Sequence, residues 1–563
     1  MKKDIQPKFK IGVLIQSFKL NKFEKEIIDF LSSESKIELY AILEKKKINN
    51  FSNKINYALK KNSILRNLEI LFFKIITFLE EFLLKIKYKE LKELEDNYFI
   101  KKNQFKEILK VNPIYSKKGI YSEYNSFDYN KIKDKNLDLV IRINASEIFR
   151  NNKLNIAKLG ILSFHHGDNS WNRGGPPGFW EVFLNKPQTG FIIQYLSKKL
   201  DNGKILSKGE FFTKRLFTLN KYNLYKESNF YLIKVVKEIL SNKNSLRFNN
   251  SSSNSKVYKI PNFLVTIRYI YKKFFLYFRL FNKKYLQNKK HRWFVSYSRS
   301  NFNKLKMKDL INIKNLSGRY FADPFVVDFK EKNYIFVEDY SYKDKKGSIS
   351  VIEIDKNDNQ KIFEKIIEEP FHMSFPFVFQ HNGIFYMVPE TSGSDSLKLY
   401  KCLNFPDKWI FCYDLISNIR CVDNIIFKKE KLYYLLNTKS YYNDFSSQLN
   451  VYYSDSPISK NWVKHKLNPI YFTSKKGRNG GFIFQNNNLV RVAQNNKINH
   501  LGDNQYGREI SLNNITDISP DLFKEEFIKK IKPTVKENIL GIHHMSGIKD
   551  FTVFDYCKYD KIT

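Results

Sequence analysis

The first part of the chain alternates two hydrophobic periods. An apolar β-rich run, KIGVLIQSF, is followed by NKFEKEIIDFLSSE, whose apolar residues recur at helical spacing, and then by the strand-like IELYAIL. LDLVIRI (Leu137–Ile143), GILSFHH and TGFIIQYL are further short apolar runs, and YNLYKESNFYLIKVVKEILSN closes the region with another helical pattern. Strands that are apolar throughout and alternate with helices predict a mostly parallel sheet covered on both faces. The polar run FNNSSSNSK (Phe248–Lys256) reads as a linker. FLVTIRYIYKKFFLYFRLFNKKYL follows it; its basic and aromatic content would suit a membrane-surface helix, but a connector between two domains is the preferred reading.

From about Trp293 the period changes. FADPFVVDFKEKNYIFVED, SFPFVFQHNGIFYMVPET, CVDNIIFKKEKLYYLLNT, NGGFIFQNNNLVRVAQN and GIHHMSGIKDFTVFD resemble one another, as strand, polar turn and second strand. With Asp323, Pro376, Asp423, Gly480 and His543 as markers, the steps are 53, 47, 57 and 63 residues. A repeat near 50 residues made of hairpins is the pattern of radial β-sheet blades, and five copies predict a five-bladed propeller. The fold class expected is therefore α/β plus all-β. Residues 1–247 form a Rossmann-type parallel-sheet domain, 248–292 a linker and connecting helix, and 293–563 a five-bladed β-propeller.

Composition changes this picture little. Lys+Arg number 97 against 57 Asp+Glu, a formal net charge of +40, which first suggests nucleic acid or an anionic membrane. The excess is spread along the chain as Lys beside Asn and Ile, the pattern of biased codon usage rather than of a binding face, so neither partner is favoured. Four cysteines, Cys402, Cys412, Cys421 and Cys557, have no Cys-x-x-Cys spacing, so no disulfide framework and no metal site are expected. LEILFFKIITFLEEFLLKI (Leu68–Ile86) is broken by Lys74, Glu80 and Glu81 and reads as an amphipathic helix, not a membrane span. The start carries no continuous apolar segment before a cleavage-like site, so a soluble, cytoplasmic protein is expected.

The candidate chemistry lies in SFHHGDNSWNRGGPPGFWEVF (Ser163–Phe183). HHGDN directly after an apolar strand puts imidazoles at its carboxyl end, where open α/β sheets hold ligands. Downstream, LDNGKIL sets Asp201 in a turn, and a His and an Asp from separate loops can share general acid–base work. His166, Asp168, Asn169 and Arg173 are further polar groups that could contact substrate.

This region, GILSFHHGDNSWNRGGPPGFWEVFLNKPQTGFIIQYLSKKLDNGKIL, resembles the 10-formyltetrahydrofolate-dependent formyltransferases, over roughly the first 245 residues. That family's pattern is Asn-x-His, a turn, Arg-Gly near a Pro, Thr-Gly, then Leu-Asp-x-Gly. Its His matches His165, its Arg-Gly Arg173-Gly174, its Thr-Gly Thr189-Gly190 and its catalytic Asp Asp201. The resemblance implies formyl transfer from 10-formyltetrahydrofolate to an amine, with His165 steadying the oxyanion and Asp201 keeping it charged. RINASEIF places Asn144, Ala145 and Ser146, with Asp201, against the folate. The family's Asn is replaced by Ser163, and losing one oxyanion donor costs on the order of 100- to 1,000-fold in rate.

The repeats in turn resemble the propeller of glycosidase family 43 and, more closely, that of the glucosamine inositolphosphorylceramide transferases, through GRYFADPFV, EEPFHMSFPFVF, FYMVPETS, VDNIIF, RVAQN, QYGREI and GIHH. Asp323, Glu390, Asp423 and His543 are the implied axial residues, and carbohydrate binding without cleavage is the expectation. Together the two resemblances imply a formyltransferase acting on an amino sugar or surface-glycan precursor. The rival is a glycan-binding or glycan-processing propeller protein with a degenerate transferase domain. Formylation of a tRNA ranks last, because a propeller is not the small barrel that follows the catalytic domain in those enzymes.

Overall fold

The opening alternation becomes β1 (Phe9–Ile15), α1 (Lys22–Ser33) and β2 (Ile37–Glu44). A capping box starts α1: Asn21 Oδ1 accepts from Glu24 N at 2.9 Å, and the Glu24 carboxylate accepts from Asn21 N at 3.3 Å. These elements come from a computed structural model, which describes residues 8–45, 63–116, 121–144, 147–198, 203–241, 249–250, 255–305, 310–439, 445–485, 488–499, 503–533 and 538–561.

β1 and β2 join β3 (Glu107–Val111), β4 (Leu139–Arg142), β5 (Ile161–His165), β6 (Gln188–Tyr195) and β7 (Lys204–Phe212) in one sheet ordered β7-β6-β5-β4-β1-β2-β3, with Asn249–Asn250 at the β7 edge. The five strands from β5 to β3 are parallel, whereas β6 runs antiparallel to β5. Ile11, Val13, Leu14, Leu139, Val140 and Ile141 are buried on both faces of the sheet's centre, as the unbroken apolar runs require. Strand order reverses between β1 and β4, which opens a crevice at their carboxyl ends. There Gln16 N donates to Asn144 Oδ1 at 3.0 Å.

Two long helices, α2 (Ile64–Lys87) and α3 (Phe217–Leu240), follow the expected helical spacing, as does α4 (Phe263–Phe281). α3 packs on β6 and α1 and is buried along most of its length. α2 buries only Phe73 fully, against Phe179 and Phe217. The chain divides into two compact units, 1–209 with 213–273, and 210–212 with 274–563, so the division falls inside α4. Ser255 and Lys256, at the end of the run read as a linker, belong to the first unit.

After α4, the second unit continues with β8 (Lys289–Ser298). Three antiparallel sheets follow, two four-stranded and the third five-stranded by the addition of Tyr471–Phe472 beside Gln448–Ser454. They are β9–β12 (Arg319–Phe329, Lys332–Ser341, Lys346–Ile354, Gln360–Ile367), β13–β16 (Ser374–His381, Ile384–Glu390, Ser396–Asn404, Lys408–Ser417) and β17–β20 (Cys421–Lys429, Leu432–Lys439, Gln448–Ser454, Val463–Lys464). β21 (Arg478–Gln485), β22 (Asn488–Ile498), β23 (Asn504–Ile518) and β24 (Phe523–Ile531) make a fourth run. It is joined through the parallel pair β21·β25 to β25 (Met545–Ile548), β26 (Phe551–Lys561), β8 and the short strand Ile311–Asn312. The unit's first long strand thus pairs with its last, from Lys289↔Lys561 to Ser298↔Thr552.

One irregularity recurs. In β9, β13, β17 and β21 the ladder skips at the same place, so residues 323–324, 375–376, 423–424 and 480–481 each face a single partner residue. Asp323, Phe375, Asp423 and Gly481 take left-handed backbone there, with φ of 49°, 48°, 56° and 110°. Bulges of this kind bend the strand and re-aim a side chain. At Gly481 the backbone is also crowded: a Cβ would stand 2.1 Å from Met545 O.

Candidate functional site

In the first unit, the carboxyl end of β5 sets the chemistry. Side chains alternate along a strand, so Ser163 and His165 share one face and Phe164 and His166 the other. His165 Nε2 lies 3.3 Å from Asn172 O. Ser163 is buried, and its hydroxyl donates to Phe164 O at 3.1 Å. His166 stacks between Phe164 and Tyr225, its Nε2 3.1 Å from Ser228 Oγ. Burial, with the neighbouring His165 and Arg142 charges, pushes its pKa down to about 3, so it is a neutral packing histidine.

The loop after β5 is tied down by its own polar residues. Asp168 accepts from Ser170 N and from Lys208 Nζ, both at 2.9 Å. Burial alone would raise its carboxyl, but Lys208 and Ser170 outweigh that and hold it below its ordinary value. Asn169 is buried, with its carbonyl accepting from Ser255 Oγ at 2.7 Å. Arg173 Nε donates to Ser255 O at 2.9 Å, and Gly175 N to Tyr258 O at 3.1 Å. Gly174 lies so close to this segment that a Cβ would stand 1.8 Å from Tyr258 O, which is the physical reason for glycine in the Arg-Gly-Gly run. Arg173 and Asn169 therefore brace the loop. Asp201, Ala145 and Ser146 lie outside the described residues.

Two groups at this site escaped the sequence reading. Gln194 on β6 pairs directly with Ser163, so its side chain shares the face of Ser163 and His165. It is 3 % exposed, and its Oε1 has no hydrogen-bond partner among the described residues. Glu181 is fully buried, its Oε1 3.5 Å from Asn172 Nδ2 and its Oε2 without a partner among the described residues. Burial pushes this carboxyl up to about 7. A cleft of about 450 Å³, lined in part by Gln16, Glu44, Lys45, Lys110 and Asn112, lies at the carboxyl ends of β1, β2 and β3.

In the second unit, the sequence candidates meet through two cations. His543 is held between carboxylates: its Nδ1 is 2.7 Å from Asp555 Oδ1 and its Nε2 3.2 Å from Asp323 Oδ1. Asp555 also accepts from the backbone N–H groups of Asp323, His543 and His544. Trp293 stacks on the imidazole at 3.8 Å. Arg478 forks onto Asp423, lies 4.0 Å from Glu390, and its guanidinium sits 4.7 Å from the Tyr506 ring. Glu390 in turn accepts from Ser374 and Ser392.

Burial dominates the protonation of this cluster. It raises Asp323 to about 7 against the pull of His543, and Asp423 to about 6 against Arg478. Glu390 and Glu338 are likewise raised by burial. For His543, burial would lower the pKa, but Asp555 and Asp323 outweigh it and raise the group above its ordinary value. The oxygens and nitrogen of Asp323, His543 and Asp555 lie within 4.8 Å of one another, a set that could take a small cation in place of the imidazole proton. The result is a buried mixture of neutral and ionised carboxyls beside two aromatic rings, suited to binding hydroxyl-rich molecules.

Residues 305–552 match the family model described as Glucosamine inositolphosphorylceramide transferase 1, N-terminal. That stretch contains Asp323, Glu338, Glu390, Asp423, Arg478 and His543. Glucosamine inositolphosphorylceramide transferase 1 of Arabidopsis thaliana is 33% identical over 216 residues, 37% of this chain and 27% of that protein. Its namesake from Oryza sativa subsp. japonica is 29% identical over 220 residues, 37% and 28%. Methionyl-tRNA formyltransferase of Bacillus cereus (strain B4264) is 31% identical over 83 residues, 15% of this chain and 26% of that one. The chain thus spans little more than a quarter of the length of the curated relatives it matches. Among solved structures, the GH43_1 enzyme from Xanthomonas citri aligns with TM-score 0.33 and 11% identity, covering 44% of this chain and 88% of that one. A 4-N formyltransferase from Francisella tularensis aligns with TM-score 0.27 and 17% identity, covering 47% and 87%.

Proposed function

We propose that the first unit transfers a formyl group from 10-formyltetrahydrofolate to the amine of an amino sugar, and that the second unit, a five-bladed propeller, binds the glycan part of the acceptor. The observation that carries this reading is the face shared by Ser163, His165 and Gln194 at the end of β5 and β6. A buried amide beside a histidine is the kind of donor and acceptor set a formamide-like group needs, and its oxygen, without a partner among the described residues, can accept from the incoming amine. The folate supplies the activated formyl carbon. The amine nitrogen bonds to that carbon while His165 and Gln194 Nε2 donate to its oxygen; the bond to N10 of the folate then breaks, and tetrahydrofolate leaves with the proton the amine gives up. Gln194 thereby takes the part of the amide that Ser163 lacks. Asp201, by the family resemblance, keeps His165 charged.

Support for the acceptor class comes from the match over residues 305–552 to a family named for glucosamine transfer, together with the acid-rich, aromatic-lined cluster around His543 and Arg478. One observation favours the rival reading of a degenerate transferase: the Ser163 hydroxyl is already engaged by Phe164 O. Calorimetric titration of a 10-formyltetrahydrofolate analogue into the full chain tests the proposal. Saturable binding that weakens on Asp201→Asn, with transfer abolished by His165→Ala, is the expected result. No heat of binding at about 1 mM ligand removes the folate from the first unit and leaves a glycan-binding protein.

A further inference from the structure

The apolar side of α2 faces outward. Leu68, Leu71, Ile75, Phe78 and Phe82 recur at helical spacing down one stripe, with Phe78 68 % and Phe82 58 % exposed. α4 repeats the pattern within the first unit: Leu264, Ile267 and Tyr271 are exposed in a second stripe. The start of α4 runs beside α2, since contacts advance along both together. Arg66 donates to Pro261 O, the Phe72 and Phe263 rings are 5.4 Å apart, and the Tyr269 hydroxyl donates to Glu80. Exposed apolar surface on this scale marks an interaction face.

Charge decides what covers it. α4 contains no acidic residue, and Arg268 and Lys272 stand exposed among its apolar positions. On α2 the exposed charges are Lys74 and Lys87. Its three acids lie off the stripe and are engaged. Glu69 pairs with Arg66 at 2.7 Å, Glu81 with Lys85 at 2.7 Å, and Glu80 accepts from Thr218 N at 2.7 Å as well as from Tyr269. The face is therefore apolar, aromatic and purely cationic. A second copy of the same face would set cation against cation. No helix among the described residues is long and apolar enough to cross a membrane. We infer that α2 and the stripe of α4 dock on the surface of an anionic phospholipid bilayer, with Phe and Leu side chains entering the acyl boundary and Lys and Arg at the phosphates. This inference is independent of the transfer reaction.

The test is co-sedimentation of the full chain with phosphatidylcholine vesicles, with and without about one-third phosphatidylglycerol. The chain should sediment with the anionic vesicles, less with the neutral ones, and less again at high salt. Phe78→Ser with Phe82→Ser should lower the partition coefficient about tenfold or more. Leu264→Ser with Ile267→Ser, on the other helix, should do the same, and it decides the matter if circular dichroism shows the first variant unfolded. Wild-type chain that stays in the supernatant, or variants that sediment as well as wild type, would overturn the inference. So would a wild-type dimer in sedimentation equilibrium that both variants turn into monomer, because the face would then belong to a second copy.

Discussion

Gln194 and Glu181 show how much of a site can hide from a one-dimensional reading. His165 was legible because its motif is local: strand, His-His-Gly-Asp-Asn, turn. Gln194 was not, because its meaning comes from the register that sets it opposite Ser163 across two strands. If its amide replaces the family's, Gln194→Leu should cut formyl transfer by about 100-fold, and Ser163→Asn should restore much of that loss in the same background. A Gln194→Leu enzyme with unchanged turnover would place the oxyanion donor elsewhere. Glu181 makes a prediction about pH. Its folded pKa of about 7 lies above the ordinary 4.5, so the folded state binds its proton more tightly. That contribution is complete below pH 4.5 and is lost as pH rises through 7. Glu181→Gln should therefore recover on the order of 2–3 kcal/mol at pH 8 relative to pH 4.5, read from urea unfolding at the two pH values. An identical pH slope in variant and wild type would refute the assignment.

The hairpin repeats were plain in the sequence, because apolar alternation and turn residues are written locally and recur. The bulge they share was visible only as the tokens ADP, SFP, VDN and NGG, whose common place in the ladder needs the pairing to be seen. Asp323 and Asp423 could be picked from the repeats. Arg478 and Asp555 could not, since what they meet lies 55 and 232 residues away in the chain. α2 teaches the converse lesson: its amphipathic pattern was read correctly, but a pattern does not tell which face meets the core. At this scale Gly481 is a sensitive position. Its φ of 110° and the 2.1 Å approach to Met545 O leave no room for a side chain. Gly481→Ala should lower unfolding free energy by about 2–4 kcal/mol in denaturant titration, whereas Gly383→Ala, with a φ of 75° and nothing within 4 Å, should cost about 1 kcal/mol. Equal losses at the two sites would show that left-handed strain, not crowding, governs the bulge.

For the whole molecule, a formal charge of +40 is a repulsion spread over both units. Screening should relieve it, so the midpoint of thermal unfolding should rise by a few degrees between low and near-physiological salt; a fall would mean that ion pairs outweigh the repulsion. The ladder of β8 and β26 has a consequence of another kind. Lys289 pairs with Lys561, so the start of β8 and the end of β26 lie side by side at one end of the same ladder. Heat or denaturant must break the ladder's ten residue pairs together with the sheet around them. A mechanical load applied at 289 and 561 instead opens the pairs one after another, like a zipper. The seam that closes the unit against unfolding is the one along which a pull on its two ends would most easily tear it.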